Sequence, residues 1–231
     1  MIDNLEYIGV DETGVGDYFT PVVSVACFIP EKNLEAIKEL GIKDSKKMTD
    51  QKIQNVAKYI INNNLVMFKV TTLTQDGYNK LIRVGINNNS VKTLIHYNSI
   101  SQLNQQINKE LPIVIDQYAS ISNLKKHIDT LENNGILQSC KLLEFNLILE
   151  TKAEEKFLSV ACASVLARYF LLEKMKELKT KYNNFEFKLG ASNSIIDLGV
   201  EFVKKFGIKE LENVSKFSFK TTQKIIEKMN N

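Results

Sequence analysis

The stretch Y-I-G-V-D-E-T-G-V-G-D-Y-F (Tyr7–Phe19) carries the reading of this chain. An apolar run with strand character stops at two adjacent carboxylates, Asp11 and Glu12, and glycines at 14 and 16 and a further acid at 17 follow. Neighbouring carboxylates repel, and at the end of a buried strand that repulsion is poorly screened. Such a pair needs a reason, and the remainder of the sequence has to supply it.

Working outward, Leu5–Val10 and Pro21–Ile29 read as two strands joined by the glycine loop. Glu31–Leu40 has helical spacing and Lys43–Thr49 is a polar loop. Thr49 or Asp50 can cap a helix over Gln51–Asn62, whose Ile53, Val56, Ala57, Ile60 and Ile61 share one face. Leu65–Thr72 reads as a third strand, and Thr74–Lys109 as a helical segment broken near Gly85–Asn89. A short apolar strand then ends at Asp116. Helical Ser122–Glu132, a strand in Lys141–Leu149, a long helix over Ala153–Lys179 and helices at Ile195–Phe206 and Thr221–Asn230 complete the chain. Ser159, Ala161, Cys162, Ala163 and Ser164 are small, which lets the long helix lie close to a sheet. The order suits a mixed sheet with helices on its faces.

Composition sets bounds on function. With 231 residues the chain can bury a substantial core, and a net charge of +3 permits a nucleic-acid partner without requiring one. Cys27, Cys140 and Cys162 are odd in number and far apart, as expected of reduced thiols rather than a disulfide frame or a zinc site. No apolar stretch approaches the about 20 residues needed to span a bilayer, and no signal peptide is visible, so no membrane partner and a cytoplasmic location are expected.

The acids recur at comparable places: Asp11 and Glu12 after the first strand, Asp116 after another, Glu154 opening the long helix. Ligands collect where strand ends meet loops in helix-flanked sheets. Carboxylates converging there would be reconciled by hard divalent cations, which take oxygen ligands and, in pairs, promote phosphodiester hydrolysis. Taken singly, each acid also fits an ordinary cap or loop role; Glu154 at a helix start is favoured by the helix dipole alone.

Four ordered blocks then resemble the type 2 ribonucleases H: D-E-T-G-V-G-D-Y-F-T-P-V-V, G-I-K-D-S-K-K-M-T-D, I-V-I-D-Q-Y-A and T-K-A-E-E-K-F-L-S-V-A-C-A-S-V-L-A-R-Y. Weaker echoes are L-G-A-S at 189–192 and F-S-F-K-T-T at 217–222. Within that group the chain is similar to ribonuclease HIII rather than HII. HII enzymes typically carry G-R-G followed by a proline where this chain has Gly14-Val15-Gly16-Asp17-Tyr18-Phe19, and an aspartate where it has Glu154.

The resemblance implies a single ribonuclease H-like domain over residues 1–231: an α/β fold with a five-stranded mixed sheet, flanking helices and extra C-terminal helices. It implies cleavage of the RNA strand of RNA/DNA hybrids to 5′-phosphate and 3′-hydroxyl ends, with Mg²⁺ or Mn²⁺, two ions per site. The implied catalytic and metal-binding set is Asp11, Glu12, Asp116 and Glu154. Gly14, Val15 and Gly16 would read the 2′-hydroxyl, with Ser45, Lys46, Lys47 and Lys152 on the backbone phosphates. Arg168 suits either a phosphate contact or a structural pair, and His96 either packing near the site or a plain structural role. A monomer without an obligate protein partner is expected, and the N-terminal substrate-binding domain usual in ribonucleases HIII is not visible. Single-ribonucleotide cleavage of the HII type, and hybrid binding without catalysis, are the alternatives.

Overall fold

The computed structural model describes residues 6–42 and 48–230. Ser45, Lys46 and Lys47 lie outside the described residues. The chain forms two compact units: residues 1–13, 23–72 and 88–170 make one, and residues 14–22, 73–87 and 171–231 the other.

The first unit is built on a five-stranded sheet in the order β3-β2-β1-β4-β5. Its strands are β1 (Ile8–Thr13), β2 (Val22–Phe28), β3 (Met67–Leu73), β4 (Ile113–Asp116) and β5 (Leu147–Glu150). β1 pairs antiparallel with β2 and parallel with β4, and β4 pairs parallel with β5, so the sheet is mixed. β2 is buried along its whole length, as its unbroken apolar and small-residue run requires.

Strand alternation divides the core. Ile8, Val10, Ile113 and Ile115 face α4 (Asn88–Ile107) and α5 (Ile121–Asn133), packing with Ile100, Leu103 and Ile128. Val114, one step out of phase, packs with Ala153, Phe157 and Val160 on the opposite face. Ala153 belongs to α6 (Ala153–Lys156) and Val160 to α7 (Leu158–Lys181). Thr49 caps α2 (Asp50–Asn62) by accepting a hydrogen bond from Lys52 N, and Ile53, Ala57 and Ile60 form its buried stripe.

Three expectations from sequence need correction. β1 runs through Thr13, so Asp11 and Glu12 lie inside the strand, opposite Val25 and Ser24 of β2. The strand expected across Lys141–Leu149 shortens to Leu147–Glu150 behind a 3-10 turn at Leu142–Glu144. The long helix is interrupted at Phe157, whose extended backbone leaves Glu154 on the separate one-turn α6.

The second unit contains α3 (Gln75–Arg83), α8 (Asn193–Phe206), α9 (Ile208–Val214) and α10 (Lys220–Asn230), with α8 packed on both α9 and α10. Phe19, Tyr182, Phe185, Phe187, Phe202 and Phe206 form its aromatic core, with ring centroids such as Phe202–Phe206 at 4.8 Å. Among the described residues no helix is long and apolar enough to cross a membrane.

Candidate active site

Because side chains alternate along a strand, Asp11 and Glu12 leave β1 on opposite faces of the sheet. Asp11 shares its face with Gly9 and turns toward α7, where Ser164 hydrogen-bonds it. Glu12 shares its face with Ile8 and Val10 and turns toward α4. Two residues of that helix, four apart and therefore on one side of it, receive the carboxylate. Lys92 Nζ donates to Glu12 Oε1 at 2.7 Å and His96 Nε2 donates to Glu12 Oε2 at 2.8 Å. The adjacent acids are thus separated by the sheet and given different partners.

Their electrostatics diverge accordingly. Burial, then the charge of Glu12, pushes the Asp11 carboxyl up from its ordinary 3.8 to about 7, against the bonds from Ser164 and from Glu12 N (2.8 Å). Burial acts upward on Glu12 too, but its bonds to His96 and Lys92 and their charges outweigh it and hold the carboxylate well below its usual range. Asp116 also raises Asp11. The β1–β4 pairing runs to Val10↔Ile115, so the next step along both strands brings Asp11 level with Asp116.

Asp11, Glu12, Thr13 and Asp116 line a cleft of about 430 Å³ together with Met48, Asp50, Lys92, Ser164 and Arg168. Asp116 Oδ1 accepts from Ala153 N at 3.2 Å, which ties the end of β4 to the start of α6. Glu154, the next residue, is buried at 8% exposure and does not line that cleft. Among the described residues no three acid, histidine or cysteine side chains are arranged as a ready metal cage. Glu12 and Asp116 instead spend carboxylate oxygens on protein donors. The donor set is nevertheless all hard oxygen, with one buried acid pushed strongly toward neutrality, and that chemistry fits a divalent cation.

Of the side chains that hold the acids, sequence reasoning names His96 near the site and Ser164 as a small helix residue, and misses Lys92. The i, i+4 spacing of Lys92 to His96 was a legible signal. Fully buried His96 stands edge-on to Tyr118 at 5.4 Å, and Tyr118 in turn bonds Thr93 at 2.8 Å, so the imidazole is fixed on more than one side. Arg168 resolves as a structural pair: its Nε and Nη2 both reach Asp50 Oδ1, at 3.1 and 2.9 Å. Lys152 is exposed, adopts a left-handed backbone (φ 53°) and stands 3.6 Å from Glu155.

Gly14, Val15 and Gly16 belong to the second unit. Asp17 N donates to Gly14 O at 3.2 Å, closing a turn with Val15 and Gly16 at its tip. Gly14 has φ +87°, and a side chain there would collide with Pro21 O and Leu171. Gly16 needs no unusual backbone: a Cβ on it would meet nothing within 4 Å. Glycine at 14 is therefore required by both backbone and space, whereas no described protein atom requires it at 16.

A helix-flanked mixed sheet of five strands with acids on its two central parallel strands defines the ribonuclease H-like class. The ribonuclease HII family model matches residues 8–222. Ribonuclease HIII of Lactococcus lactis subsp. lactis is 34% identical over 221 residues, covering 95% of this chain and 72% of that protein. Ribonuclease HIII of Bacillus pumilus is 33% identical over 225 residues, with 96% and 69% covered. The crystal structure of Bst-RNase HIII in complex with Mn²⁺ superposes with a TM-score of 0.85 at 29% identity, covering 96% of this chain and 70% of that one. The chain belongs to the type 2 ribonuclease H family, and within it to the ribonucleases HIII. It is a ribonuclease H enzyme.

Proposed function

We propose that the chain is a divalent-cation-dependent endonuclease that hydrolyses the RNA strand of RNA/DNA hybrids, leaving 5′-phosphate and 3′-hydroxyl ends. The observation that carries this reading is the gathering of Asp11, Glu12 and Asp116 in one cleft, where burial first and then the charge of Glu12 push Asp11 toward neutrality. A relative bound to Mn²⁺ points the same way. Asp11, Glu12, Asp116 and Glu154 would hold Mg²⁺ or Mn²⁺, two ions per site. Bound there, such ions supply an activated water and stabilise the leaving oxygen of the phosphodiester.

The protein's own groups do the rest. Lys92 and His96 hold Glu12 ionised and oriented, Ser164 orients Asp11, and Ala153 N fixes Asp116. Gly14-Val15-Gly16 presents backbone to the ribose, where the 2′-hydroxyl distinguishes RNA from DNA. Lys152 and the segment Ser45-Lys46-Lys47 suit the backbone phosphates, which position the duplex without reading sequence.

The test is cleavage, with Mg²⁺ or Mn²⁺, of a continuous RNA/DNA hybrid and of a DNA duplex carrying one ribonucleotide. Cutting of the hybrid is expected. Cutting of only the single-ribonucleotide duplex would replace the reading with an HII-type activity, and binding without cutting would replace it with a binding protein.

Two further results are expected. His96→Leu removes the donor to Glu12 Oε2, a loss that typically costs about 10–100-fold in metal affinity or activity. The cation concentration for half-maximal cleavage should rise, and an unchanged cation requirement would remove His96 from the support of Glu12. The second concerns pH. The folded pKa of Asp11 lies above its unfolded value of 3.8, so the cation-free folded chain binds more protons and loses stability as pH rises from about 4 to about 7. A cation must displace that proton below pH 7, so Mg²⁺ should stabilise the protein more at pH 8 than at pH 6, by about 1 kcal/mol. Equal gains in Tm at the two values would contradict this.

A further inference from the structure

Lys216 is a lysine with no exposed surface. Its ammonium donates to Gly14 O at 2.7 Å, Asp17 O at 2.6 Å and Thr20 O at 2.7 Å. An ammonium has three N–H donors in tetrahedral array and no acceptor, so three converging carbonyls satisfy it fully. The rings of Tyr78 and Phe219 stand over it at 5.6 and 5.8 Å, adding attraction from their faces. Burial pushes its pKa down to about 7, while the charge of Asp17 acts upward.

The three acceptors bracket the turn. Gly14 precedes Val15-Gly16, Asp17 closes the turn, and Thr20 ends the loop, with Thr20 Oγ1 donating back to Gly14 O at 3.1 Å. The main chain of Lys216 is fixed to the same loop, since its N–H donates to Tyr18 O at 2.8 Å. Asn79 anchors the segment from the other side, donating to Ser215 O at 2.8 Å and accepting from Phe217 N at 2.9 Å. Other groups also hold the loop: Gly190 N donates to Asp17 Oδ1 and Gln75 Nε2 to Phe19 O. Among the described residues only Lys216 joins the carbonyls of the first and last residues of the loop to that of Asp17 at one point.

We propose that Lys216 is the positioning residue for ribose recognition, its ammonium setting the shape in which Val15 and Gly16 meet the 2′-hydroxyl. The inference rests on the reading of Gly14–Gly16 as the ribose-sensing turn. It explains a cost that packing alone does not: a buried lysine is spent where an apolar side chain would fill the same volume.

The experiment compares kcat/KM on an RNA/DNA hybrid with that on the same duplex carrying one 2′-fluoro nucleotide at the cleavage position. Lys216→Met should lower the hybrid value about 10–100-fold, as misplacement of about 1 Å at a recognition group does. It should lower the 2′-fluoro value much less, so the ratio between them shrinks. Phe206→Leu, which loosens the same unit without touching the loop, should leave the ratio intact at a matched fall in Tm. Gly16→Ala tests the underlying reading, because the added methyl meets no protein atom.

A normal ratio in Lys216→Met with a collapsed one in Gly16→Ala would overturn the role of Lys216 and leave the turn's role standing. Normal ratios in both would overturn the two together. If Lys216→Met does not fold, the wild-type protein still decides. The Lys216 ¹⁵Nζ resonance should exchange slowly with water and show couplings across hydrogen bonds to the carbonyl carbons of residues 14, 17 and 20. A rapidly exchanging ammonium without those couplings would overturn the proposal.

Discussion

Asp116→Asn is expected to fold normally and to lose hybrid cleavage by about 10³-fold, a magnitude comparable to removing one preorganised electrostatic contact from an active site. The amide keeps an oxygen to accept from Ala153 N, so the junction of β4 and α6 survives. What disappears is one negative charge on the cleft. Asp11→Asn should cost activity as heavily, but its stability should move upward. Asp11 is buried beside Glu12 and Asp116, and the neutral amide can still accept from Glu12 N. Relief of that desolvated charge is worth on the order of 1–3 kcal/mol in the cation-free protein at pH 8. Kinetics and thermal denaturation in EDTA check the pair. Near wild-type turnover in Asp116→Asn would remove it from the site, and a fall in Tm for Asp11→Asn would contradict the electrostatic account of the acid pair.

Gly9→Ala is expected to be the most destabilising single methyl added to the first unit. Gly9 lies on β1 directly against the backbone of α7, and a Cβ there would run into Val160 N and the Ser159 carbonyl, with its oxygen 2.8 Å away. A flexible side chain could step aside, but a helix backbone cannot. Overpacking of this kind costs roughly 3 kcal/mol, the upper part of its usual range. For a chain of this size that lowers Tm by roughly 6–12 °C. Separation of α7 from β1 would also carry Ser164 away from Asp11, so activity should fall with stability. An unchanged Tm would mean that the strand and helix are not in backbone contact in solution.

Much of the fold was legible because periodicity is local. The break between α3 and α4, the cap at Thr49 and the buried stripe Ile53, Ala57, Ile60 all follow from spacing within a few residues. The small residues at the start of α7 announced close packing, but only their partner strand shows Gly9 as the other half of that contact. The apolar run that marks β1 in the sequence ends at Val10, and the carboxylates that follow are weak strand formers. Pairing with Val25 and Ser24 overrides that preference, as tertiary context does for strands generally. α9 is a short helix that left no periodic signal strong enough to read.

By itself the sequence determined the family resemblance, through ordered motifs that hold Asp11, Glu12, Asp116 and Glu154 and a glycine-bearing stretch two residues beyond the adjacent pair. The order of whole motifs along the chain suffices for that, whereas each acid taken singly also fits a cap or loop role. Only the tertiary structure decided how adjacent acids coexist, because their partners come from α4 and α7, roughly 80 and 150 residues away, and strand alternation assigns one partner set to each face. The same holds for Lys216, an unremarkable lysine in V-S-K-F-S until folding removes it from water. Three loop carbonyls then become its solvent, and a contact between residues about 200 apart leaves no trace in local pattern.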